Sequence, residues 1–191
     1  NSNRKRAPAS RGVFQRAVMA ESINANPRNI RNETPLHRAV VFGRNEVAEY
    51  LIHNGADINT QNDLKRTPMH MALLTEDQDM LALLIKNRAN IEKRDIWDNT
   101  ILHEAAKHDM PEIISMMVKQ VDGVDIKGQF NWSPLMWAVQ YGNIDVVDIL
   151  IQEGANVNYT ANHEYTPLYL AKRGNYPKII ELLKRNGAKE H

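Results

Sequence analysis

The sequence predicts an all-α repeat solenoid, built as a stack of five helix-turn-helix units. Two marks recur along the chain, and consecutive copies of each mark lie 33 residues apart. The first mark begins at Thr34, Thr67, Thr100, Ser133 and Thr166. The second follows 21 residues later, at Gly55, Arg88, Val121, Gly154 and Gly187. A fixed period of this length over five units is typical of a repeat architecture.

The first mark predicts the start of the first helix in each unit. Thr and Ser are good N-cap residues because the hydroxyl oxygen accepts a hydrogen bond from a free backbone amide of the first turn. Proline follows the mark in four of the five units, and proline suits the first helical position, where no N–H is needed. A helix is therefore expected directly after each mark.

A second helix is predicted after a bend in each unit. Gly43 and Gly142 interrupt the apolar pattern, with Gly174 nearly in register, and glycine allows a positive φ at such a bend. Apolar residues then return at helical spacing. A glycine at the second mark suits the left-handed position that closes a helix, whereas Arg88 and Val121 lack that freedom. The middle of the array is expected to be the less regular part.

At these residues the sequence resembles the ankyrin-repeat family. The matching pattern is Thr-Pro-Leu-His, then Gly, a Val-Val-like pair, Leu-Leu and Gly-Ala-Asp-Val-Asn. The resemblance implies stacked antiparallel helix pairs with β-turn fingers that project from the junctions. It assigns five repeats to residues 29–61, 62–94, 95–127, 128–160 and 161–191. Because one unit cannot bury both helix faces, only the stack has a continuous core.

Upstream of residue 29, a half-repeat cap is expected over residues 12–28. Phe14 lies 33 residues before Val47, and the segment 23–26 lies 33 residues before 56–59. Residues 1–11 have no apolar face and are expected to form a flexible basic tail. The competing interpretation is a truncated upstream repeat.

Composition indicates a soluble globular chain of 191 residues, with 42% hydrophobic and 25% charged residues. No apolar run approaches the roughly 20 residues of a bilayer span, so no membrane segment is predicted. Without cysteine there can be no disulfide or thiolate site. The compartment stays open between the cytoplasm and an exported mature chain. The net charge is +5 over residues 1–33 and −4 over residues 34–191.

The sequence predicts neither catalysis nor a metal or cofactor site. His103 and His108 are five residues apart, so they do not share one helix face as zinc ligands would. His37, His70 and His103 lie one repeat apart, and the resemblance implies that they order the turns. No Gly-x-Ser-x-Gly motif and no phosphate-binding glycine loop is present.

The resemblance implies that partner contacts concentrate on the finger tips, on the end of each first helix and on the last residue of each unit. Twenty-nine positions of the sequence meet this description. They hold six of the twelve aromatic residues, where even scattering would place about two. The predicted partner-binding residues are Phe42, Leu64, Arg66, Ile96, Trp97, Lys107, His108, Phe130, Trp132, Tyr141, His163 and Tyr165. The aromatic residues are expected to face solvent as anchors, with cations such as Arg66 and Lys107 as a polar rim. The alternative is that some rings fold down between fingers.

The predicted function is a non-catalytic module that is monomeric when unbound and holds a folded protein partner on its concave face. It would act as a scaffold or as a stoichiometric inhibitor or immunity protein of an enzyme. A second hypothesis is a recognition domain of a larger enzyme, channel or transcription regulator. A third is nucleic-acid binding through the basic tail, which a short cationic run without aromatic residues supports only weakly.

Overall fold

A helix begins one residue after each Thr or Ser mark, as predicted. The structure is a computed structural model that describes residues 26–190, so the predicted tail and residues 12–25 of the predicted cap lie outside it. The described part contains ten α-helices in five pairs. They are α1 (Pro35–Val41), α2 (Asn45–His53), α3 (Pro68–Leu74), α4 (Gln78–Lys86), α5 (Ile101–Lys107), α6 (Pro111–Val118), α7 (Pro134–Tyr141), α8 (Ile144–Gln152), α9 (Pro167–Arg173) and α10 (Pro177–Arg185).

The helices form two layers. The first helices α1, α3, α5, α7 and α9 contact one another in chain order, and so do the second helices α2, α4, α6, α8 and α10. Within residues 26–190 there is no β-strand, and a single antiparallel bridge joins Arg94 to Thr100. The predicted all-α solenoid is confirmed.

A continuous core lies between the two layers. Its first-helix row repeats one buried position in every unit, occupied by Leu36, Met69, Leu102, Leu135 and Leu168. The facing row on the second helices includes Leu84, Met117, Leu150 and Leu183, which are all buried. Since each row runs through all the units, the apolar surface of one pair is covered by the next pair.

Histidine caps the first helix of the first three units. The Thr34 amide donates to His37 Nδ1 at 3.2 Å, and the Thr100 amide donates to His103 Nδ1 at 3.1 Å. With Nδ1 as acceptor, Nε2 carries the proton and donates onward, from His37 to the Arg66 carbonyl at 3.1 Å and from His103 to the Ile126 carbonyl at 2.9 Å. His37 thereby ties α1 to the second finger, and His103 ties α5 to the backbone that leads into the fourth finger.

The same histidines are buried as neutral rings. Burial lowers the pKa of His37, and it lowers the pKa of both His70 and His103 to about 4. Nε2 of His70 is buried and has no hydrogen-bond partner among the described residues. Charging these rings inside the stack is therefore unfavourable.

The turn after the second helix varies along the stack. Arg88 takes a left-handed φ of 59° and so keeps the geometry of Gly55, whose φ is 84°. Val121 does not have a positive φ, and the exit turn of the third unit differs from the others. The expectation for Gly174 is wrong. Its φ is −78°, and the left-handed residue of that bend is Asn175, with φ 54°.

Leu135→Ala is expected to lower the free energy of unfolding by about 2–5 kcal/mol, because it removes a buried side chain and leaves a cavity. The matched control is Leu74→Ala at the exposed end of α3, which should cost less than about 0.5 kcal/mol. Urea unfolding followed by circular dichroism measures both values. A cost at Leu135 no larger than at Leu74 would contradict the packing of α7.

Stability should fall as the pH drops from 6.5 towards 4. The unfolded chain protonates His70 and His103 near 6.5, but the folded chain does so only near 4, so the unfolded state binds more protons in this window. The expected loss between pH 7 and pH 5 is about 2 kcal/mol per histidine. Urea unfolding at both pH values measures it.

His70→Gln should remove the contribution of that one histidine, about 2 kcal/mol between pH 7 and pH 5, and leave those of His37 and His103. His53→Gln is the control, because the His53 side chain is exposed at the end of α2 and is not one of the buried capping histidines. A His70→Gln protein with the full wild-type pH dependence would show that the loss arises elsewhere.

Candidate partner-binding surface

Each finger is a five-residue loop at a junction between units. The amide of its first residue donates to the carbonyl of its fifth, as in Asn62 to Arg66 at 3.0 Å and Gly128 to Trp132 at 2.9 Å. The third residue stands at the tip. The five tip residues lie 33 positions apart and are called the tip row here: Arg31, Leu64, Trp97, Phe130 and His163.

The first three fingers are held by a side chain at their first residue. Asn62 Oδ1 accepts from the Leu64 and Arg66 amides, both at 3.0 Å. Asp95 Oδ1 accepts from the Trp97 amide at 2.9 Å and the Asn99 amide at 3.1 Å. Asn and Asp stabilise turns in this way. The tips of these fingers therefore do not have to maintain the turn themselves.

The fourth finger is built differently, because its first residue is Gly128. A Cβ at this position would lie 2.6 Å from His103 Nε2 and 2.6 Å from Asn99 Oδ1, so a side chain does not fit. Without a capping oxygen, Phe130 and Asn131 both take left-handed conformations, each with φ 60°. Two such residues in succession match a type I′ turn. The fifth finger, which begins with Ala161, has the same pair at His163 and Glu164, so both fingers without Asn or Asp at the first residue have a left-handed tip.

Six of the predicted partner-binding residues are exposed apolar side chains. Within the tip row, Leu64 is 43% exposed, Trp97 41% and Phe130 58%. Ile96 lies beside this row, and Phe42 and Tyr141 stand at the ends of α1 and α7; all three are exposed. Contiguous exposed apolar residues mark interaction surfaces more often than isolated ones do.

The expectation that Trp132 faces solvent is wrong. Only 8% of the residue is exposed, and its ring centroid lies 4.7 Å from that of Trp137 and 6.4 Å from that of Phe130. As the last residue of its finger, Trp132 folds down onto α7, where burial of its large apolar surface is favourable. The alternative interpretation, a ring packed beneath the finger, holds for this residue.

Lys107 does not form an open rim either. Its amine lies 2.7 Å from Glu104 Oε1 and 4.1 Å over the Trp137 ring, and the side chain is mostly buried. His108 is half-buried, with Nδ1 3.2 Å from Glu76 Oε1. Both residues link neighbouring units.

The fifth unit places its predicted residues in another ring cluster. His163 is exposed, with its ring 6.0 Å from that of Tyr165. Tyr165 is half-buried and stacks on Tyr169 with 5.0 Å between ring centroids. Tyr165 and Tyr169 line a cleft together with Lys172 and Lys189.

Trp137 was not predicted as part of this surface. Its ring connects Trp132 to Tyr141, whose centroid lies 6.4 Å away, so one row of rings runs from the fourth finger to the end of α7. The sequence spacing indicates this contact, since Trp137 precedes Tyr141 by four residues and therefore shares its helix face.

Two cations lie over exposed rings of the surface. The Arg66 guanidinium carbon is 5.0 Å from the centroid of Trp97, and that of Arg38 is 4.6 Å from the centroid of Phe42. Burial raises the pKa of Asp95, the first residue of the third finger, while the hydrogen bonds that it accepts from backbone amides lower this pKa. The surface therefore combines apolar tips with cations held in place by stacking.

Neither a metal centre nor a membrane span is found in the described part of the chain. No group of three or more His, Cys, Asp or Glu between residues 26 and 190 could hold a metal ion. In the same range no helix is long and apolar enough to cross a bilayer.

Trp132→Ala is expected to cost about 3 kcal/mol of folding free energy, because it empties the space against Trp137. Phe130→Ala should cost no more than about 0.5 kcal/mol, since the ring has few neighbours. Urea unfolding of the two variants gives the comparison. Equal costs would mean that both rings pack in the same way, contrary to their exposures.

Comparison with protein-family models gives two matches. A model described as ankyrin repeats in three copies matches residues 102–191, and one described as ankyrin repeats in many copies matches residues 36–85 and 75–118. Ankyrin repeats are generally protein–protein interaction modules and are usually non-catalytic. The matches span residues 36–191, the same region that carries the 33-residue period and the five helix pairs, so this chain belongs to the ankyrin-repeat family.

Proposed function

We propose that this chain holds a folded protein partner on the tip row and the adjoining ends of the first helices, as a scaffold or as a stoichiometric inhibitor of an enzyme. One observation carries the proposal: Leu64, Trp97 and Phe130 are exposed at equivalent positions of three successive fingers. The core of the stack does not need apolar residues there. A partner that covers them gains the free energy of their burial.

The second-helix layer offers no comparable surface. Within the described residues, the second-helix layer exposes a single large apolar side chain, Tyr50 on α2. By contrast, Ile96 is exposed beside the tip row, and Phe42 and Tyr141 are exposed at the ends of first helices. The contrast between the two layers favours a partner that approaches from the finger side.

The anchors differ in what their loss should cost. Trp97 combines a large apolar area with few rotatable bonds, which is typical of interface hot spots. Trp132 and Trp137 lie beneath the surface and support it, so their loss would act mainly on folding. Phe130 and Trp97 are accordingly the residues whose replacement should separate binding from stability.

Photo-cross-linking from the native source tests the proposal. A benzoyl-phenylalanine at position 130 should capture a protein partner, whereas the same group at position 50 should not. Phe130 and Tyr50 are both exposed aromatic residues, so the replacement is conservative at each. Capture from position 50 with none from position 130 would place the binding surface on the other layer.

Calorimetry with the captured partner then gives magnitudes. Tyr141→Ala and Phe130→Ala should weaken binding by about 2 kcal/mol each. Tyr50→Ala is the matched control for Tyr141→Ala and should change the affinity little. If the partner is an enzyme, loss of its activity at one equivalent of this chain indicates an inhibitor, and unchanged activity indicates a scaffold.

A further inference from the structure

Arg66 is a cation with unused hydrogen-bonding capacity on the finger side. Among the described residues its guanidinium makes no ion pair and no hydrogen bond, and its position is fixed by stacking over the Trp97 ring at 5.0 Å. Two cations of the third unit are engaged, since Lys107 pairs with Glu104 and Arg94 donates to the Lys127 carbonyl at 2.6 Å. Within the described part of the chain, Lys65 is unpaired like Arg66 but has no ring to stack on. A guanidinium has five donors in a planar fork, and none of the five is used by another described residue, although Arg66 as a whole is half-buried.

The surroundings of Arg66 suit a carboxylate carried by an apolar segment. The exposed side chains of Leu64 and Ile96 stand on the same two fingers, which the Ile96 amide joins by donating to the Leu64 carbonyl at 3.2 Å. A stacked guanidinium keeps its edge free, and that edge matches the two oxygens of a carboxylate. Since the cation is held in place before binding, less side-chain entropy is lost.

The nearby acids of the described chain form no ion pair with this cation. Glu33 and Asp63 line the same pocket as Arg66 but are bonded to other side chains. Asp95 lies close enough for its charge to interact with that of Arg66, but no ion pair forms between them. The Asp95 carboxyl group is buried, and one of its oxygens accepts the amides of Trp97 and Asn99. It stabilises its own finger and leaves the outer side of Arg66 open.

Charge is also divided between the two layers. The second-helix segments of the five units, 45–60, 78–93, 111–126, 144–159 and 177–190, hold thirteen Asp/Glu against eight Lys/Arg. The finger and first-helix segments 28–44, 61–77, 94–110, 127–143 and 160–176 hold nine Asp/Glu against eleven Lys/Arg. The two segments that carry Arg66 and Trp97, 61–77 and 94–110, hold seven Asp/Glu against four Lys/Arg, so the attraction for a carboxylate there comes from the Arg66 guanidinium itself.

We propose that Arg66, stacked on Trp97 and flanked by Leu64 and Ile96, receives a carboxylate side chain from an acidic, apolar-flanked segment of the protein partner. This inference rests on the proposed function. It names the chemistry that the second and third fingers recognise. A nucleic acid fits less well, because the nine acids of the finger and first-helix segments interrupt any continuous basic stripe.

Selection from a displayed library of random linear peptides tests the inference without the natural partner. Peptides selected on the full chain should be enriched in Asp or Glu next to aromatic or large aliphatic residues. For a selected peptide, Arg66→Ala and the Glu→Gln change in the peptide should each weaken binding about tenfold or more. Made together, the two changes should cost much less than the product of the single effects, because they remove one shared contact.

Two further variants, one at Arg66 and one control, test whether the guanidinium itself is recognised. Arg66→Lys keeps the charge but loses the fork, so its binding should fall between that of the wild type and that of Arg66→Ala. Lys119→Ala, which removes an exposed cation from the second-helix layer, is the matched control and should bind as the wild type does. Circular dichroism confirms that each variant is folded.

The remaining outcomes are distinguishable. Peptides that need Leu64 and Phe130 but carry no acid, or bind Arg66→Ala normally, overturn the inference and leave the proposed function standing. Peptides insensitive to every finger variant contradict the proposed function itself. A labelled single-stranded oligonucleotide that binds through Arg66 more tightly than the peptides would assign the site to nucleic acid and overturn the inference.

Discussion

A pair of helices with seven to nine residues each cannot bury its own apolar side chains, and the whole molecule depends on that constraint. Every pair needs a neighbour, and Leu102 on α5 is fully buried because α3 and α7 lie on either side. Stability is consequently a property of the interfaces between units rather than of any one unit. His37 and His103 serve the same end, since each ring caps a helix and donates a hydrogen bond to a backbone carbonyl near the next finger.

This arrangement separates the residues that maintain the stack from those that can meet a partner. The helices carry the core, while the fingers are closed by their own backbone bonds and stand outside it. Leu64, Trp97 and Phe130 can therefore be apolar and exposed without disturbing the packing beneath them. The separation is incomplete in the fourth unit, where the row from Phe130 through Trp132 to Trp137 connects a finger tip directly to a helix.

The helix starts could be predicted from the sequence because they depend on local chemistry. A Thr before Pro is a cap whatever surrounds it, and a fixed period reports on each unit separately. The exposure of the tip row was predictable for a similar reason, since a finger tip has few neighbours. Trp132 was mispredicted because its burial depends on Trp137 in the next helix, and no periodicity of finger positions includes that contact. The prediction that Lys107 forms an open rim was wrong for the same reason, since its partners Glu104 and Trp137 belong to two different units.

The two kinds of finger differ in how freely their sequences can change. Where Asn62 or Asp95 maintains the turn, the turn does not depend on the side chain of the tip residue. Substitutions at the tip then alter recognition at little cost to folding. In the fourth finger Phe130 and Asn131 must themselves occupy left-handed conformations, which β-branched residues disfavour. New specificity is therefore more accessible to mutation in the second and third fingers, whereas the fourth and fifth fingers, which both have left-handed tip residues, tolerate fewer changes.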